Sequence, residues 1–291
     1  MPENNRKALA TLYLSALLLS CNGLFANGIP LNATSLSQLR SVIAVLALVV
    51  FYLIRKQTLT LPSGRDYLRT YFLGILMGLH WITFFAAMQV SSVAIGMVAI
   101  FSYPVITVIL EPALNKQLPK ISDIIAGLVV LLGISIMVPE SNSSGSWQAN
   151  ETTLMGVGLG LISALLFSIR NTLQGRLIKN IDAGSSSLHQ FLIIGLILIP
   201  FVDWQATSQL TTDNYIKLLV FGVVTTALAH SLLVSALRSL SAKSVAMIGC
   251  IQPPLGALLA WLILNEHVSL QVFFGGAIVL SVALYETWQS R

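Results

Sequence analysis

Two histidines in apolar surroundings are the first residues of this chain that could do chemistry. His80 and His230 are separated by 150 residues, and each lies inside a long apolar stretch. An ionisable side chain inside a membrane span is costly, and it usually faces a cavity or a partner within the protein. We therefore expect both rings to line one substrate-binding cavity near the bilayer centre. The alternative interpretation is a neutral histidine that hydrogen-bonds a neighbouring helix.

Prolines inside apolar segments predict a second group of site residues. Pro104 and Pro254 are also 150 residues apart, and Pro253 precedes the latter. A proline within a helix lacks the backbone donor for the carbonyl one turn earlier. A membrane tolerates such a free carbonyl only where protein or a water-filled cavity satisfies it. We expect Tyr103 and Gln252, beside these prolines, to bind substrate along a polar pathway, although helix packing explains the adjacent glycines equally well.

Glu111 and Trp81 are weaker candidates. Glu111 lies two helical turns after Tyr103, so the two share a helix face, and it is the candidate residue for coupling to protons or substrate. It is also close to the cytoplasmic end of its helix, where it would meet water or Lys116 instead. Trp81, next to His80, would present its ring either to a substrate or to lipid, and we leave both alternatives open.

Arg40 lies about seven residues inside its apolar segment, on the order of 10 Å deep at a rise of 1.5 Å per residue. This depth is large for an arginine that merely extends its side chain to the interface. An unpaired guanidinium is costly there, so we expect Arg40 to engage an anionic group. That group is either a substrate carboxylate, which makes Arg40 a substrate-binding residue, or a structural acceptor on a neighbouring helix.

The composition indicates which elements must position these side chains. Hydrophobic residues make up 55% of the 291 residues and charged residues only 9%, against about 25% charged in soluble domains. We therefore expect an all-α integral membrane protein in contact with the lipid bilayer. Apolar runs of roughly 17 to 25 residues can cross a bilayer as helices. Ten such runs occur, near residues 8–27, 33–54, 68–89, 91–111, 121–138, 153–171, 185–202, 215–236, 242–264 and 268–286.

The positions of the basic residues predict the orientation of the chain. If the N terminus is cytoplasmic, fourteen of the sixteen Lys and Arg residues fall on the cytoplasmic side, with Arg170, Arg176 and Lys179 among them. Such a bias is typical of membrane proteins, whose cytoplasmic loops are enriched in basic residues. The pattern predicts a multi-pass protein of the inner (plasma) membrane with both termini cytoplasmic. The net charge of +5 therefore reports orientation and does not indicate nucleic-acid binding.

An internal repeat predicts two related halves. The segment LSALLLSCNGL at 14–24 returns as ISALLFSIRNTL at 162–173, and the other offsets are 149 and 150 residues. Each half would contain five helices, and an odd number of spans forces the second copy to enter from the opposite side. We expect ten transmembrane helices as two inverted five-helix repeats, residues 1–138 and 153–291, joined by an outward-facing linker at 139–152.

Taken together, these features resemble the EamA branch of the drug/metabolite transporter superfamily. They comprise ten short-looped spans from a duplicated five, an Arg early in the second span, and Pro254 followed twelve residues later by Glu266. The first-half equivalent of Glu266 is Lys116, which departs from the family pattern. The resemblance implies a secondary transporter that works by alternating access on a small polar or zwitterionic metabolite, foremost as an amino-acid exporter. It also favours a structural role for Arg40, whose second-half equivalent is His189.

Other functional classes lack their motifs. The sequence contains no G-x-x-x-x-G-K-[ST] loop, so ATP is not the expected direct energy source, and protons remain an open choice of coupling ion. An intramembrane enzyme would need H-E-x-x-H, G-x-S-x-G or paired intramembrane carboxylates, and none occurs. We expect no cofactor, no metal site, and a monomer or weak dimer. A membrane scaffold or sensor without transport remains the other alternative.

Overall fold

The computed structural model describes residues 3–22, 25, 28–91, 93–137, 151–264 and 270–290. Every regular element in these ranges is a helix. Seven helical stretches are long and apolar enough to cross a membrane, and Ile121–Met137 and Ala183–Ile197 are shorter apolar helices. The chain is therefore an all-α membrane protein, as its composition predicts. The seven stretches are Ala33–Ile54, Gly64–Val90, Ile95–Leu114, Glu151–Leu177, Thr212–Leu237, Ala242–Leu259 and Leu270–Gln289.

We number the α-helices in chain order. They are α1 Glu3–Ser20, α2 Ala33–Ile54, α3 Gly64–Val90, α4 Val93–Ile100, α5 Tyr103–Leu114, α6 Ile121–Met137, α7 Glu151–Leu177, α8 Ala183–Ile197, α9 Trp204–Ser208, α10 Thr212–Val220, α11 Ala229–Leu237, α12 Ala242–Gly249, α13 Gln252–Leu264 and α14 Leu270–Gln289. A 3-10 turn, Ile199–Phe201, follows α8, and a π-helical segment, Phe221–Leu228, joins α10 to α11.

The proline-containing segments are broken helices. Two residues separate the end of α4 from the start of α5, and Pro104 is the second residue of α5. The same happens between α12 and α13, where Pro253 and Pro254 are the second and third residues of α13. Proline is favoured in a first helical turn, because its missing N–H would have no partner there and its φ angle already suits a helix. The prolines therefore start second half-helices instead of bending continuous ones.

Local capping groups explain where several helices begin and end. Asn32, Asp182 and Ser241 each precede a helix, and their side-chain oxygens accept the backbone N–H three residues later. Such caps satisfy donors that the first turn leaves free. At the C-terminal ends of α2 and α5, Lys56 and Lys116 adopt positive φ angles of 51° and 56°. Both reverse the chain into short connections.

Small residues let the helices approach closely. The sequence predicts packing roles for Gly74, Gly78, Gly156 and Gly160 from their four-residue spacing. The structure places all four at helix contacts. A Cβ added at Gly74 would lie 2.9 Å from the backbone of Gln190, and one added at Gly78 would lie 3.2 Å from Ile194 Cγ1. A Cβ added at Gly156 would lie 3.3 Å from the carbonyl oxygen of Ala87, and one added at Gly160 would lie 2.4 Å from the Cβ of Ala99. The helices α3, α4, α7 and α8 are thereby held together.

Both ends of the described chain meet on one side of the molecule. Asn5 Nδ2 donates to the carbonyl of Ser290 at 3.3 Å, and the hydroxyls of Tyr13 and Thr287 are 2.6 Å apart. The helices α1 and α14 are therefore in contact at this end, which we call the terminal end.

One residue expected on the cytoplasmic side is instead buried. The sequence places Arg170 at the cytoplasmic end of the sixth span, which it predicts to end at 171. The helix α7 continues to Leu177, and Arg170 is only 1% exposed. Amide side chains around its guanidinium make this burial tolerable. Glu266 and residues 139–150 of the predicted linker lie outside the described residues, whereas 151 and 152 begin α7.

Candidate functional site

A cavity of about 70 Å³ lies among the broken helices. Since a buried water needs roughly 10–15 Å³ by this measure, the cavity has room for several waters. All six residues predicted to bind substrate line it, namely Arg40, His80, Trp81, Tyr103, His230 and Gln252. The first four come from the N-terminal half of the chain and the other two from the C-terminal half. Glu111 is not among the lining residues.

Arg40 lies against two aromatic rings. Its guanidinium carbon lies 4.2 Å from the centre of the Trp81 ring and 4.1 Å from that of Phe221. Its Nε donates to Thr226 Oγ1 at 2.8 Å, whereas Nη2 has no hydrogen-bond partner among the described residues. Among the described residues, no carboxylate forms an ion pair with Arg40. The expected structural acceptor therefore exists, but it is a hydroxyl and not an anion.

The π-helical segment positions that hydroxyl. Thr226 Oγ1 donates to the carbonyl of Phe221, five residues earlier, at 2.9 Å, so its lone pairs can accept from Arg40. Gly222 lets the segment approach α2, because a Cβ there would lie 2.5 Å from Ile43 Cγ2 and 3.2 Å from the carbonyl of Arg40. π-Helical turns within α-helices are frequent at functional sites. Sequence analysis missed Thr226, for which the only signal was a Thr-Thr pair in an apolar run.

His80 is anchored to α7 while its ring faces the cavity. The Nδ1 atom is 2.8 Å from Ser163 Oγ and 3.1 Å from the Ser163 carbonyl oxygen, and Ser163 Oγ donates to the His80 carbonyl at 2.9 Å. A carbonyl can only accept, so Nδ1 carries the proton, and in the neutral form of the ring Nε2 would be the acceptor. The ring also stacks on Phe167, with centroids 4.5 Å apart. Both predicted roles, cavity lining and hydrogen bonding to a neighbouring helix, therefore occur together in His80.

His230 has a different environment. It is 3% exposed, and neither ring nitrogen has a hydrogen-bond partner among the described residues. Its ring lies 5.2 Å from that of Trp81, so Trp81 faces the cavity and not lipid. A buried polar group without a partner is costly, and cavity water or a ligand is what would normally satisfy it.

Tyr103 and Gln252 stand between this cavity and a smaller one. The smaller cavity, of about 10 Å³, shares Tyr103, Phe167 and Gln252 with the larger and extends to Asn171. The Tyr103 hydroxyl donates to the carbonyl of Ala246 at 3.0 Å, which ties α5 to α12. The two side chains therefore lie where the two cavities adjoin.

Arg170 forms a second buried cationic centre that sequence analysis did not identify. Its Nη2 and Nε donate to Gln190 Oε1 at 2.6 and 3.2 Å, and Nη1 donates to Asn171 Oδ1 at 2.9 Å. Gln190 in turn donates to Gln174 Oε1 at 2.9 Å. All of these acceptors are neutral. The available signal was the cluster of Asn and Gln around an Arg in an apolar helix. Asn171 links the cluster to the smaller cavity.

Glu111 lies away from the cavity, at the terminal end. Its carboxylate accepts from the backbone N–H groups of Ala242 at 3.0 Å and Lys243 at 2.7 Å. These are the first residues of α12, where free N–H groups and the helix dipole favour an anion. The sequence analysis expected Glu111 to meet water or Lys116 if it had no coupling role, and it did not predict that Glu111 caps a helix. His189 also lies apart from the cavity, where its Nε2 donates to the carbonyl of Leu59 at 2.9 Å.

An ionic cluster adjoins this cap. Lys243 Nζ lies 3.3 Å from Asp123 Oδ2 and 3.5 Å from Glu286 Oε1, and Ser244 Oγ donates to Glu286 at 2.6 Å. Together with Glu111 the cluster connects α5 and α6 of the first half to α12 and α14 of the second. The terminal end is therefore closed by polar contacts.

Comparison with known proteins agrees with this architecture. The model of the EamA-like transporter family matches residues 6–138 and again 154–285. The chain belongs to the EamA-like transporter family. The resemblance inferred from its spans, prolines and buried arginine is thus confirmed, and the family assigns the protein to membrane transport.

Relatives within bacteria and beyond carry transporter names. The chain is 26% identical over 254 residues to an uncharacterized transporter, YxxF, of Bacillus subtilis, covering 87% of this chain and 80% of the relative. It is 23% identical to an uncharacterized inner membrane transporter, YicL, of Salmonella typhimurium, covering 99% and 97%. It is also 27% identical to solute carrier family 35 member G1 of Mus musculus, covering 70% and 59%. A crystal structure with 15% identity has a TM-score of 0.79 and covers 98% of this chain and 97% of that one, which supports the fold.

Proposed function

We propose that this protein is a secondary transporter of the inner (plasma) membrane that moves a small polar or zwitterionic metabolite, foremost as an amino-acid exporter. The observation that carries the proposal is the cavity, where residues of both halves meet around Arg40 and His230. Each of these buried side chains has a polar atom without a partner in the described structure. Inverted-repeat carriers bind their substrates at such a place, between broken helices near the bilayer centre.

We further propose ten spans arranged as two inverted five-helix units, residues 1–138 and 153–291, joined by the linker 139–152. Three observations support this arrangement. The family model matches each half separately. A proline-started half-helix occurs once in each half, in α5 and in α13. The helices α1 and α14 meet at the terminal end, as expected when the N and C termini are on one side, and the basic loops make that side cytoplasmic.

Alternating access would open the terminal end and close the opposite one. In the proposed orientation, the Glu111 cap and the Lys243 ion pairs close the cytoplasmic side. Rocking of one half against the other would break these contacts and expose the cavity inward. Such rigid-body rocking around a fixed site is the usual motion of carriers built from repeats.

Transport by the purified protein in liposomes tests the proposal. Vesicles loaded with an unlabelled amino-acid mixture should take up external labelled amino acid by exchange faster than protein-free vesicles do. The Trp81 indole contacts both Arg40 and His230, so vesicles containing the Trp81→Ala protein should exchange amino acid more slowly than wild type.

Mass spectrometry of the vesicle lumen should recover the compound unchanged, because a transporter, unlike an enzyme, leaves it intact. Uptake no faster than in protein-free vesicles for any of the twenty amino acids would contradict amino-acid transport. A chemically altered product would favour the enzyme alternative.

A further inference from the structure

We infer that the cavity recognises its ligand by a carboxylate, bound by the free edge of the Arg40 guanidinium together with the His230 ring, while an ammonium group on the same ligand is not required. This inference rests on the proposed function and narrows its substrate class. The ligand would be a small carboxylate with an apolar or aromatic body, zwitterionic or purely anionic.

The surroundings of Arg40 orient it for this role. Aromatic rings pack against the guanidinium, whose central carbon is 4.2 Å from the centre of the Trp81 ring and 4.1 Å from that of Phe221. The N–H groups of a guanidinium lie in its plane, and Thr226 already occupies Nε. The planar edge of a guanidinium matches the two oxygens of a carboxylate. The unpartnered Nη2 is therefore a donor held in place for an anion.

The charge balance of the cavity favours the same class of ligand. Arg40 is the only residue with a formal charge among the described residues that line it. Among the described residues, the second buried guanidinium, that of Arg170, has only amide acceptors. A buried charge without a counter-ion carries a large desolvation cost, which a ligand carboxylate would offset. An ammonium group would find only neutral acceptors here, such as Asn22 Oδ1, which has no partner in the described structure.

His230 supplies a second donor beside the same indole ring. The imidazole and the guanidinium of Arg40 both contact Trp81. A neutral imidazole carries one N–H and one lone pair, and neither nitrogen of His230 is committed to the described protein. Either tautomer can therefore turn a donor toward an oxyanion. His80 lacks this freedom, because Ser163 determines its tautomer.

The remaining wall suits an apolar body. Phe84, Phe101 and Phe167 line the cavity, with Met97 and Ile100 beside them. A ligand that places its carboxylate at Arg40 would therefore pack its remaining atoms against rings and methyl groups.

The test is the thermal stability of the purified full-length protein in detergent, at constant ionic strength. The probes are propionate, 3-phenylpropanoate, phenylalanine and phenethylamine, and sodium chloride is the reference. The last three share one aromatic body and differ in the charged group that it carries. We expect 3-phenylpropanoate and phenylalanine to raise the unfolding temperature, propionate to raise it less, and phenethylamine to have no effect beyond that of salt. Stabilisation by the amine equal to that by the carboxylates, or no stabilisation by any carboxylate, would overturn the inference.

Variants assign the effect to the site. Arg40→Gln should weaken carboxylate binding roughly tenfold to a hundredfold, the range for a charged hydrogen bond, and Arg40→Lys should weaken it less. If Arg40→Gln does not fold, His230→Leu provides the same comparison and should also weaken binding. Leu79→Ala, a change at a side chain that is 46% exposed on the outer face of α3, should bind like wild type. Retained affinity in folded Arg40→Gln protein would contradict the inference.

The outcome is separable from that of the transport assay. Carboxylate-selective binding without exchange in liposomes would leave this inference standing and contradict the proposed function. Exchange in liposomes together with equal stabilisation by phenethylamine and the carboxylates would support the proposed function and contradict this inference.

Discussion

At the scale of single residues, the two histidines show that residues 150 positions apart in the two halves need not have equivalent roles. Both line the cavity, but His80 is tied to Ser163 by several hydrogen bonds whereas His230 has no polar partner in the described protein. Burying an unpartnered polar group lowers stability. His230 is therefore the residue whose presence is better explained by ligand binding than by folding.

Substitutions of the two histidines should accordingly differ in their effect on stability. His80→Ala removes the bonds that Nδ1 makes with Ser163 and the stack on Phe167, and should destabilise the fold by about 2–4 kcal/mol. His230→Leu replaces an unpartnered polar ring by an apolar side chain and should change stability by less than about 1 kcal/mol. Unfolding in a mixed detergent series measures both. A His230→Leu protein less stable than His80→Ala would contradict this assignment.

At the scale of elements, close helix contacts depend on a few glycines. Gly133 of α6 and Gly275 of α14 face each other, and a Cβ added at Gly275 would lie 2.3 Å from the Gly133 carbonyl oxygen and 3.0 Å from the Met137 backbone nitrogen. Backbone atoms cannot move aside as a flexible side chain can. The pair therefore determines how closely α6 and α14 approach each other, and these are two of the helices that the ionic cluster joins.

The same substitution at two glycines should have opposite effects. Gly275→Ala forces α6 and α14 apart and should cost about 1–3 kcal/mol, as overpacking does. A Cβ added at Gly158, inside α7, has no described atom within 4 Å. Gly158→Ala should therefore stabilise the protein by roughly 0.5–1 kcal/mol, because alanine has the higher helix propensity. The shift of the unfolding midpoint, compared between the two variants, provides the measurement. Equal shifts in the same direction would contradict the close contact.

At the scale of the whole molecule, the orientation in the membrane is open to a direct test. We expect the terminal end to be cytoplasmic, because the basic loops lie there. In a background with Cys21→Ser and Cys250→Ala, a cysteine at Ser144 should react with an impermeant thiol reagent in intact cells. A cysteine at Arg176 should react only after the cells are opened. Labelling of position 176 alone in intact cells would contradict the topology and, with it, the inverted repeat.

Closure of the terminal end should be obligatory for part of the transport cycle. The Glu111 carboxylate lies 3.0 Å from the backbone nitrogen of Ala242 across the two halves. In the same cysteine-free background, a Glu111→Cys/Ala242→Cys protein treated with a short bifunctional methanethiosulfonate, which links the two thiols through reducible disulfides, should stop exchanging substrate in liposomes. Reduction should restore exchange, and each single variant should be insensitive to the reagent. Undiminished exchange in the cross-linked protein would contradict opening at this end.

The sequence by itself determined the membrane class of the protein, the position of several of its apolar helices and the family. The helix predicted at 33–54 is found at Ala33–Ile54, because apolar length and a flanking cap are local properties. The broken helices were predictable for the same reason, since the missing donor of Pro104 or Pro254 acts within one turn. The cavity candidates followed from the rule that polar groups inside a membrane avoid lipid.

Only the tertiary structure decided which of these groups meet. Lipid is as apolar as the protein interior, so an apolar helix carries little information about which face packs against which neighbour. The bond from Arg40 to Thr226 joins residues 186 positions apart, and the cap of α12 by Glu111 joins residues 131 apart. Arg170 was counted among the basic residues of the cytoplasmic side because hydropathy does not show that its acceptors include Gln190 on another helix. Hydrogen bonds between helices, which hydropathy does not encode, distinguish a buried arginine from an exposed one.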